Sequence, residues 1–396
     1  MKNRSHILFI VENNTVPPDI RVWREAKAAK RAGHRVTIIA PANAKYPRRS
    51  QVIDGIQIHR HPNVDHGGGA IGQVKEYLNA FLWEAYLSFK IFLKNPFTII
   101  HAANPPDNIF IIAWFYKLFG VKYIFDHHDL SPELYIDKFS GRRDCVYHLL
   151  NLLERLSCKT ADVVISTNQS FKNQIIRKHH VKPEKIFIVR NDPDIAIAPT
   201  EKRDTTRQKN GFFDLVYVGS INNQDGVDIF VHVVDMLVNE FRHDNIKCNV
   251  VGDGGELNNI KKLADKLGLS DIISFKGYVY DRILVKQYID EADICLETAP
   301  ANEANRRSTF IKIMEYMSAG KALVAFDLDE TRYSVGDTAV LVEPGNNYSF
   351  AEAVHNLIEN PGKRRELGVM AKKRIERELN WQNSSATLYR AYESIT

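Results

Sequence analysis

Four ionisable residues, Asp126 to Asp129, follow an apolar run that ends at Phe125 and predicts a β-strand. A histidine at such a strand end can donate a hydrogen bond or exchange a proton near neutral pH, so His127 and His128 suit a polar substrate. Metal binding is the rival chemistry, although adjacent residues rarely point at one ion and no helical HxxxH partner is present. The alternative is a loop whose polar side chains bind one another and have no catalytic or ligand-binding role.

His101 also follows a predicted strand, Thr98 to His101, and is therefore expected on the same edge of the sheet. A lone histidine in such a place is often structural. His101, His127, His128 and Asp129 are therefore the candidate site residues at this edge.

The segment from Ser308 to Leu328 predicts a helix whose N-cap is Ser308 or Thr309 and whose end is Gly320. An apolar run from Ala322 to Phe326 then predicts a strand.

The start of this helix should favour an anion. A helix N-terminus presents free N–H groups and a partial positive charge, and Lys312 adds a full positive charge in the first turn. The carboxylate of Glu315 lies one turn further along. It either binds a ligand or is a solvated charge on the helix face.

Two glycine turns come directly after predicted strands, at Gly219 and at Gly252. Glycine lets a backbone approach a phosphate closely, but such turns are also common without a ligand. Neither turn has the GxGxxG spacing of dinucleotide-binding enzymes, which disfavours an NAD oxidoreductase.

Strands and helices alternate along the whole chain, which predicts an α/β protein. A polar stretch around Asp192 to Asn210 is the predicted linker, and Gly67 to Gly69 is a predicted break before a long helix from about Ile71 to Leu93. We expect two doubly wound, Rossmann-like domains that face each other across a cleft. Ligands should bind at the carboxyl ends of their strands. The predicted strands are Ile7–Val11, Val36–Ala40, Ile56–Arg60, Thr98–His101, Tyr123–Phe125, Val163–Ser166 and Ile186–Val189, then Asp214–Val218, Lys247–Val251, Ile272–Phe275, Ile294–Glu297, Ala322–Phe326 and Ala339–Val342.

The 396 residues are 44% hydrophobic, enough for two buried cores. The four cysteines have no paired CxxC spacing, so neither a zinc site nor a disulfide framework is indicated and a reducing, cytoplasmic compartment fits best.

Charge is unevenly distributed along the chain. Residues 1–200 hold 28 Lys and Arg against 18 Asp and Glu, whereas the remainder holds 25 against 30. The basic half could rest on anionic lipid, receive a phosphorylated acceptor, or be a solvated surface without a partner. Scattered basic residues and the lack of a nucleic-acid module argue against nucleic acid.

Membrane contact, if it occurs, should be peripheral. The first apolar run is too short for a signal peptide, and no later run reaches the roughly 20 apolar residues that cross a bilayer. The aromatic residues between Tyr77 and Phe92 favour core packing, with an interfacial surface as the alternative.

Several motifs, in order along the chain, together resemble a family 4 glycosyltransferase of the GT-B fold. They are DHHDLSPELY, VRNDPD, YVGSINNQDGVD, VGDGGELNNIKKLADKLGLSDIISFKGYV and KIMEYMSAGKALVAFDL. The resemblance implies an acceptor-side domain over residues 1–198 and a donor domain over residues 211–375. It also implies a closing helix, about 379–396, that packs back onto the first domain.

The resemblance assigns roles residue by residue. Glu315 matches the second acid of the family's Glu-x7-Glu motif, which holds the donor ribose. His128 best matches the histidine near the transferring sugar, with His127 as the alternative. The catalytic candidates are His128, Lys312 and Glu315, and the acceptor-side candidates are His101, His127 and Asp129. The donor-binding candidates are Gly219, Ser220, Gly252, Phe275, Gly277, Tyr278, Arg306, Arg307, Ser308, Thr309 and Glu315.

The chain departs from the family pattern at three positions. Arg307 stands where the first acid of Glu-x7-Glu belongs, and Ser220 and Asp225 replace two basic residues that neutralise the diphosphate in relatives. We expect Arg306, Arg307 and Lys312 to compensate.

The resemblance implies a retaining glycosyltransferase, of the hexosyl or N-acetylhexosaminyl class, that needs no cofactor and no metal. Its donor is expected to be a UDP-sugar, and its acceptor a lipid-linked or glycan molecule of bacterial surface polysaccharide assembly, including lipopolysaccharide. The alternatives are a nucleotide-sugar 2-epimerase of the same fold and an inactive nucleotide-sugar-binding homologue.

Overall fold

The computed structural model describes residues 4–63, 70–139, 141–193 and 211–396. The chain divides into two compact units. The first comprises Met1–Arg190 together with Ser384–Thr396, and the second comprises Asn191–Asn383. The glycines Gly67 to Gly69 and the greater part of the predicted linker lie outside the described residues.

The first unit contains an eight-stranded sheet in the order β3-β4-β2-β1-β5-β6-β7-β8. Neighbouring strands are parallel except for β3, which runs antiparallel to β4 at the edge. The inner strands are buried on both faces, which explains their continuous apolar sequences. The strands are β1 (His6–Ile10), β2 (Arg35–Pro41), β3 (Ser50–Ile53), β4 (Ile56–His61), β5 (Ile99–Ala103), β6 (Lys122–His127), β7 (Val163–Ser166) and β8 (Ile186–Ile188).

Helices connect these strands and cover the sheet. A buried apolar cluster, which includes Ile10, Ile100 and Phe125 of the strands and Tyr116 of a helix, fills the space beneath four of the helices, α2, α3, α5 and α6. The helices of this unit are α1 (Ile20–Arg31), α2 (Ala70–Lys94), α3 (Phe110–Lys117), α4 (Ser131–Lys138), α5 (Cys145–Thr160) and α6 (Gln169–His179).

The second unit contains a six-stranded parallel sheet in the order β11-β10-β9-β12-β13-β14. This order, with its reversal between β9 and β12, is typical of a doubly wound sheet. The strands are β9 (Phe213–Val218), β10 (Ile246–Val251), β11 (Ile273–Gly277), β12 (Ile294–Glu297), β13 (Ala322–Phe326) and β14 (Val340–Val342).

Two apolar cores lie on opposite faces of this sheet. One packs the strands against α7, α8 and α13, and the other packs them against α9, α11 and α14. The predicted pair of Rossmann-like α/β units is therefore confirmed. The helices are α7 (Val227–Asn239), α8 (Leu257–Lys266), α9 (Arg282–Glu291), α10 (Glu303–Arg307), α11 (Ile311–Ser318), α12 (Asp329–Val335), α13 (Asn347–Glu359), α14 (Pro361–Arg377) and α15 (Trp381–Glu393).

Helix α15 begins in the second unit and ends in the first. Throughout the described ranges, helices lack the combination of length and apolar character needed to cross a bilayer.

Candidate functional site

The two predicted glycine turns lie against each other at the carboxyl edge of the second sheet. A Cβ atom added to Gly252 would lie 1.7 Å from the carbonyl oxygen of Gly219, so only glycine fits there. Backbone hydrogen bonds continue the contact, because the Gly219 N–H donates to Val251 and the Gly252 N–H donates to Gly277. The turns after β9, β10 and β11 thus form one continuous backbone surface.

The side chain of Lys312 reaches this surface from the first turn of α11. A Cβ atom on Gly219 would lie 3.1 Å from Lys312 Nζ and 3.1 Å from the hydroxyl oxygen of Tyr217. Lys312 Nζ donates to the Tyr217 hydroxyl at 2.9 Å and lies 2.9 Å from Oε2 of Glu297, the last residue of β12. A cation is therefore fixed beside the strand-end glycine.

Burial and neighbouring charges have opposing effects on the pKa values of Lys312 and Glu297. Burial alone would lower the pKa of Lys312, but the charges and hydrogen bonds of Glu297 and Tyr217 together outweigh it and raise that pKa. Burial also raises the pKa of Glu297, and the positive charge of Lys312 only partly opposes the shift. Lys312 is thus held charged at neutral pH, with two of its three N–H groups directed at Glu297 and Tyr217.

The expected N-cap of α11 is wrong. A short helix, α10, precedes α11, and Ser308 is the C-cap of α10, with its hydroxyl donating to the Ala304 carbonyl oxygen. Phe310 occupies the N-cap position of α11 and its side chain makes no capping hydrogen bond. Thr309 lies between the two helices. The N-cap residue itself therefore supplies no side-chain cap to the first N–H groups of α11.

Glu315, one turn into α11, forms an ion pair with Arg282 at the start of α9. The next residue, Tyr316, is fully buried, and its hydroxyl accepts a hydrogen bond from the Val218 N–H at 2.8 Å. This bond fixes α11 against the end of β9, and Glu315 and Lys312 are thereby held on the same short helix.

The remaining donor-site candidates are distributed along the same edge. Arg307 pairs with Glu303 within α10, whereas Arg306 is exposed. Phe275 is half-buried against the core, and Tyr278 is exposed with its ring 4.5 Å from that of Tyr280. Ser220 is exposed after Gly219, and its carbonyl oxygen accepts from the Tyr217 hydroxyl.

In the first unit, Asp126 is the centre of a buried polar cluster. Arg21 donates to its two carboxylate oxygens at 2.8 and 2.6 Å, and His128 Nδ1 lies 3.4 Å from Asp126 Oδ2. Burial alone would raise the pKa of Asp126, but the charges and hydrogen bonds of Arg21 and His128 together outweigh it and lower that pKa. Burial alone would lower the pKa of His128, yet the hydrogen bond and charge of Asp126 raise it to about 8.

Asn104 fixes the backbone that carries His128 and Asp129. Its side-chain oxygen accepts from the N–H groups of both residues, and its side-chain nitrogen donates to the Asp129 carbonyl oxygen at 2.7 Å. His128 is mostly buried but keeps part of its side chain at the surface. It thus combines a fixed backbone, a charged partner and access to solvent.

The expectation that all four residues from Asp126 to Asp129 extend from a strand end is wrong for two of them. Strand β6 continues to His127, so Asp126 and His127 lie within the sheet and are fully buried. His127 Nε2 lies 2.8 Å from Oε1 of Glu154 in α5, whose other oxygen meets His179 at 2.8 Å. His127 therefore connects β6 to α5 through Glu154, and its acceptor-side role stays a prediction that this burial does not favour.

His101 is likewise an interior residue. Strand β5 runs on to Ala103, and the His101 ring is fully buried and stacks on Phe9 at 4.4 Å. Its nitrogens meet the Tyr392 hydroxyl at 2.9 Å and Glu25 at 3.3 Å. The acceptor-side role expected for His101 stays a prediction, and the enclosed position of its side chain does not favour it.

Glu25, His101 and Asp126 each offer a ligand atom within 4.8 Å of the others. Arg21 lies among them, 3.2 Å from Glu25 and 2.6 Å from Asp126. A guanidinium already balances these carboxylates and would repel a metal cation, so the donor set fits an ion-pair network better than a metal site.

Sequence reasoning missed five residues of these clusters. Glu297 ends a predicted strand, and this position was the only available signal. The long-range partners of the other four could not be read from the sequence. The missed residues are Arg21, Asn104, Tyr217, Arg282 and Glu297.

Two family models match the chain. Residues 18–192 match the glycosyl transferase 4-like domain, and residues 213–360 match the glycosyl transferases group 1.

Curated relatives match over part of their length. The chain is 23% identical over 216 residues to alpha-D-kanosaminyltransferase of Streptomyces kanamyceticus, which covers 52% of this chain and 54% of the relative. It is 25% identical over 246 residues to D-inositol 3-phosphate glycosyltransferase of Streptomyces bingchenggensis, with coverages of 59% and 52%. The chain thus spans about half the length of these relatives.

Solved structures resemble the chain over nearly its whole length. Sucrose-phosphate synthase from Thermosynechococcus elongatus has a TM-score of 0.80 at 16% identity, covering 99% of both chains. Anabaena HepE in complex with UDP-glucose has a TM-score of 0.73 at 16% identity, covering 99% and 100%. WaaG, a glycosyltransferase involved in lipopolysaccharide biosynthesis, has a TM-score of 0.70 at 16% identity, covering 98% and 99%. At these identities the likeness establishes the fold.

Proposed function

We propose that this chain, which belongs to the glycosyltransferases of the GT-B fold, transfers a sugar from a UDP-sugar to a lipid-linked or glycan acceptor with retention of configuration. Assembly of a surface polysaccharide is the proposed pathway. The observation that carries the proposal is the Lys312 ammonium fixed beside Gly219 at the carboxyl edge of the second sheet.

This edge can stabilise a diphosphate leaving group. Breaking the glycosidic bond places negative charge on the diphosphate, and fixed N–H groups and cations at that position lower the barrier. Lys312 and the N-terminal turn of α11 supply both, so the proposed transfer uses no metal. Lys312 thereby takes the place of the basic residues that Ser220 and Asp225 replace.

Glu315 is the proposed ribose ligand. Its carboxylate already forms an ion pair with the Arg282 side chain, which is exposed and can move aside. The complexes of HepE with UDP and UDP-glucose support a uridine nucleotide for this fold, and hence a UDP-sugar as our first choice.

His128 is the proposed residue of the first unit that positions the donor or acceptor. Its pKa of about 8 keeps the imidazole largely protonated near neutral pH, so it would donate a hydrogen bond to an oxygen. In a retaining transfer the acceptor hydroxyl attacks on the face that the diphosphate leaves.

A lipid-linked acceptor is supported by an exposed apolar surface of the first unit, here called the α2–α3 surface. Phe89 and Phe115 join its two helices, with ring centroids 6.5 Å apart. Leu118 at its edge is 81% exposed. The surface consists of Leu78, Leu82, Tyr86, Phe89 and Leu93 of α2 and Ile111, Trp114, Phe115, Leu118 and Phe119 at or near α3.

The exposed charges around the α2–α3 surface are mainly positive. Among the described side chains of α2 and α3, the exposed charged ones are Lys75, Lys90 and Lys94, whereas Glu76 is half-buried and Glu84 is buried. Exposed aromatic and aliphatic side chains flanked by lysines favour the surface of an anionic bilayer. We therefore propose that this surface rests on the membrane at which the acceptor is presented.

The experiment is a transfer assay with purified protein, a panel of UDP-, GDP- and dTDP-sugars and a lipid-linked acceptor. The proposal expects UDP release that depends on acceptor, and a product whose anomeric configuration matches the donor. An epimeric nucleotide sugar formed from donor alone would support the epimerase instead. Nucleotide binding without turnover would support an inactive homologue, and activity unaffected by both Lys312→Ala and Glu315→Ala would overturn the site assignment.

A further inference from the structure

A second cluster of ligand-forming side chains lies in the second unit. His243 follows α7, and His355 and Glu359 lie one turn apart on α13. One nitrogen of each histidine and one carboxylate oxygen of Glu359 lie within 4.8 Å of one another. An i, i+4 pair on a helix places both side chains on one face, here the face that meets His243.

This cluster lies at the opposite edge of the sheet from Lys312. Helices α7 and α13 each start after the carboxyl end of a strand and run back along the sheet. His243 comes just before β10 begins, and Glu359 is the last residue of α13. The cluster therefore belongs to the amino edge of the second sheet and takes no part in the proposed transfer.

The two imidazoles are held in place before any ligand binds. His243 is buried, and its backbone N–H donates to the Leu237 carbonyl oxygen at 2.9 Å. The ring of His355 stacks on Phe241 at 4.8 Å with 25° between the planes. His243 Nε2 and His355 Nδ1 consequently meet at 2.9 Å.

Four titratable groups determine the charge of the cluster. His243 and His355 lie beside Glu359, and the charge of Asp244 also acts on His243. A neutral imidazole has a free lone pair, which is the form that binds a metal. The two carboxylates add negative charge that favours a cation.

We propose that His243, His355 and Glu359 bind a divalent transition-metal ion such as Zn²⁺. Two neutral imidazoles and a carboxylate are ligands that zinc accepts, and a solvent molecule would complete four-fold coordination. Zn–N bonds of about 2.0–2.1 Å in a tetrahedron separate two nitrogens by roughly 3.3 Å. The imidazole nitrogens therefore need to move apart by a few tenths of an ångström, and each ring must also turn so that its lone pair points at the ion.

Such an ion would link the segment after α7 to the end of α13. These two helices already pack on the same face of the sheet, in one apolar core. The metal would take the place of the proton that the two histidines share. Its three bonds, to His243, His355 and Glu359, would connect the segment after α7 to α13. Its expected effect is structural, since metal bound to the folded state alone stabilises that state.

The test is titration of the full chain with ZnCl₂ in a non-chelating buffer, followed by calorimetry and by thermal unfolding. One high-affinity ion per chain and a Zn²⁺-dependent rise in Tm are expected. His243→Gln and His355→Gln should each lower the affinity more than tenfold, and Glu359→Gln by about tenfold. His232→Gln, a partly exposed histidine of α7, is the matched control and should bind as the wild type does.

CoCl₂ supplies an independent readout, because a tetrahedral site with histidine ligands gives intense visible absorption bands. Loss of these bands in His355→Gln, with the metal-free Tm unchanged, would support the site and exclude misfolding as the cause. Dissociation constants in the millimolar range, or equal affinity in wild type and all three variants, would overturn the proposal. Donor binding at Lys312 should be the same with and without Zn²⁺.

Discussion

Lys312 Nζ lies 2.9 Å from Glu297 Oε2, so the cation proposed to meet a diphosphate already has an internal anion as its partner. Both side chains are almost fully enclosed, and the charge of the pair is therefore balanced in the ligand-free protein. A diphosphate beside Gly219 would share Lys312 with Glu297. Glu297 thus becomes the positioning residue for Lys312.

Replacing Glu297 by Gln should destabilise the second unit. A buried ammonium left without its carboxylate costs about 3 kcal/mol, which urea unfolding would detect. Added UDP should raise the Tm of Glu297→Gln more than that of the wild type, because the diphosphate supplies the missing negative charge.

The matched control is Glu366→Gln. Glu366 pairs with Lys363 at the surface of α14, where both side chains are about half exposed, and its loss should cost less than about 1 kcal/mol. If UDP raised the Tm of Glu297→Gln and of the wild type by the same amount, Lys312 would not face the diphosphate.

Glu315→Gln should weaken nucleotide binding through the ribose. Loss of a charged hydrogen-bond acceptor costs about 1.5–3 kcal/mol, or roughly tenfold to a hundredfold in Kd, measurable by calorimetry with UDP. The wild type should bind deoxyribose analogues of UDP more weakly than it binds UDP. Glu315→Gln should bind UDP and its deoxyribose analogues equally. Arg282→Ala keeps Glu315 and should retain this discrimination, whereas an unchanged penalty for the deoxy analogues in Glu315→Gln would contradict the ribose contact.

His128 should make stability depend on pH above neutrality. Its folded pKa of about 8 exceeds the ordinary value of 6.5, so its contribution is fully present below about pH 6.5 and is lost as pH rises through 8. The contribution is about 2 kcal/mol, since one pKa unit corresponds to about 1.4 kcal/mol.

Unfolding in urea across this range, compared between wild type and His128→Gln, isolates the contribution of His128. The wild type should lose about 2 kcal/mol more than the variant between about pH 6 and 9. His148→Gln, an exposed histidine of α5, is the control and should follow the wild type. Parallel profiles for wild type and His128→Gln would show that Asp126 does not hold the His128 charge.

Leu118→Ser combined with Phe119→Ser should abolish sedimentation with vesicles that contain phosphatidylglycerol. Each lysine removed nearby, at Lys90 or Lys94, should lower partitioning about fivefold, and binding to pure phosphatidylcholine should be weak in all proteins. The control Val52→Ser removes an exposed apolar side chain from β3, outside the α2–α3 surface. If the wild type instead forms a dimer that the Ser variants disrupt, without vesicle binding, the surface joins two copies.

Much of the fold was predictable because apolar runs mark buried parallel strands. The runs around Ile7, Val36, Ile294 and Ala322 all correspond to strands. The edge strand β3 was missed, since Ser50–Ile53 is short and partly exposed. A strand with one open side needs little apolar sequence.

The ends of strands were harder to predict where charged residues continue the sheet. The sequence predicts that Asp126 and His127 lie in a polar loop. They lie in β6 instead, because Arg21 pairs with Asp126 and Glu154 pairs with His127. These partners lie 105 and 27 residues away, and no local pattern indicates such pairs. The Ser308 error has a similar origin, because the preceding helix α10 uses that residue as its own cap.

The first unit is discontinuous along the chain, because Tyr392 of α15 meets His101 across 291 residues of sequence. During synthesis, the strand that carries His101 would emerge long before the residue that completes its surroundings. The whole second unit is translated in between. The N-terminal half should thus pass through a stage with an incomplete interior, and a chaperone that binds exposed apolar segments would recognise nascent chains stalled before Tyr392 more strongly than released ones.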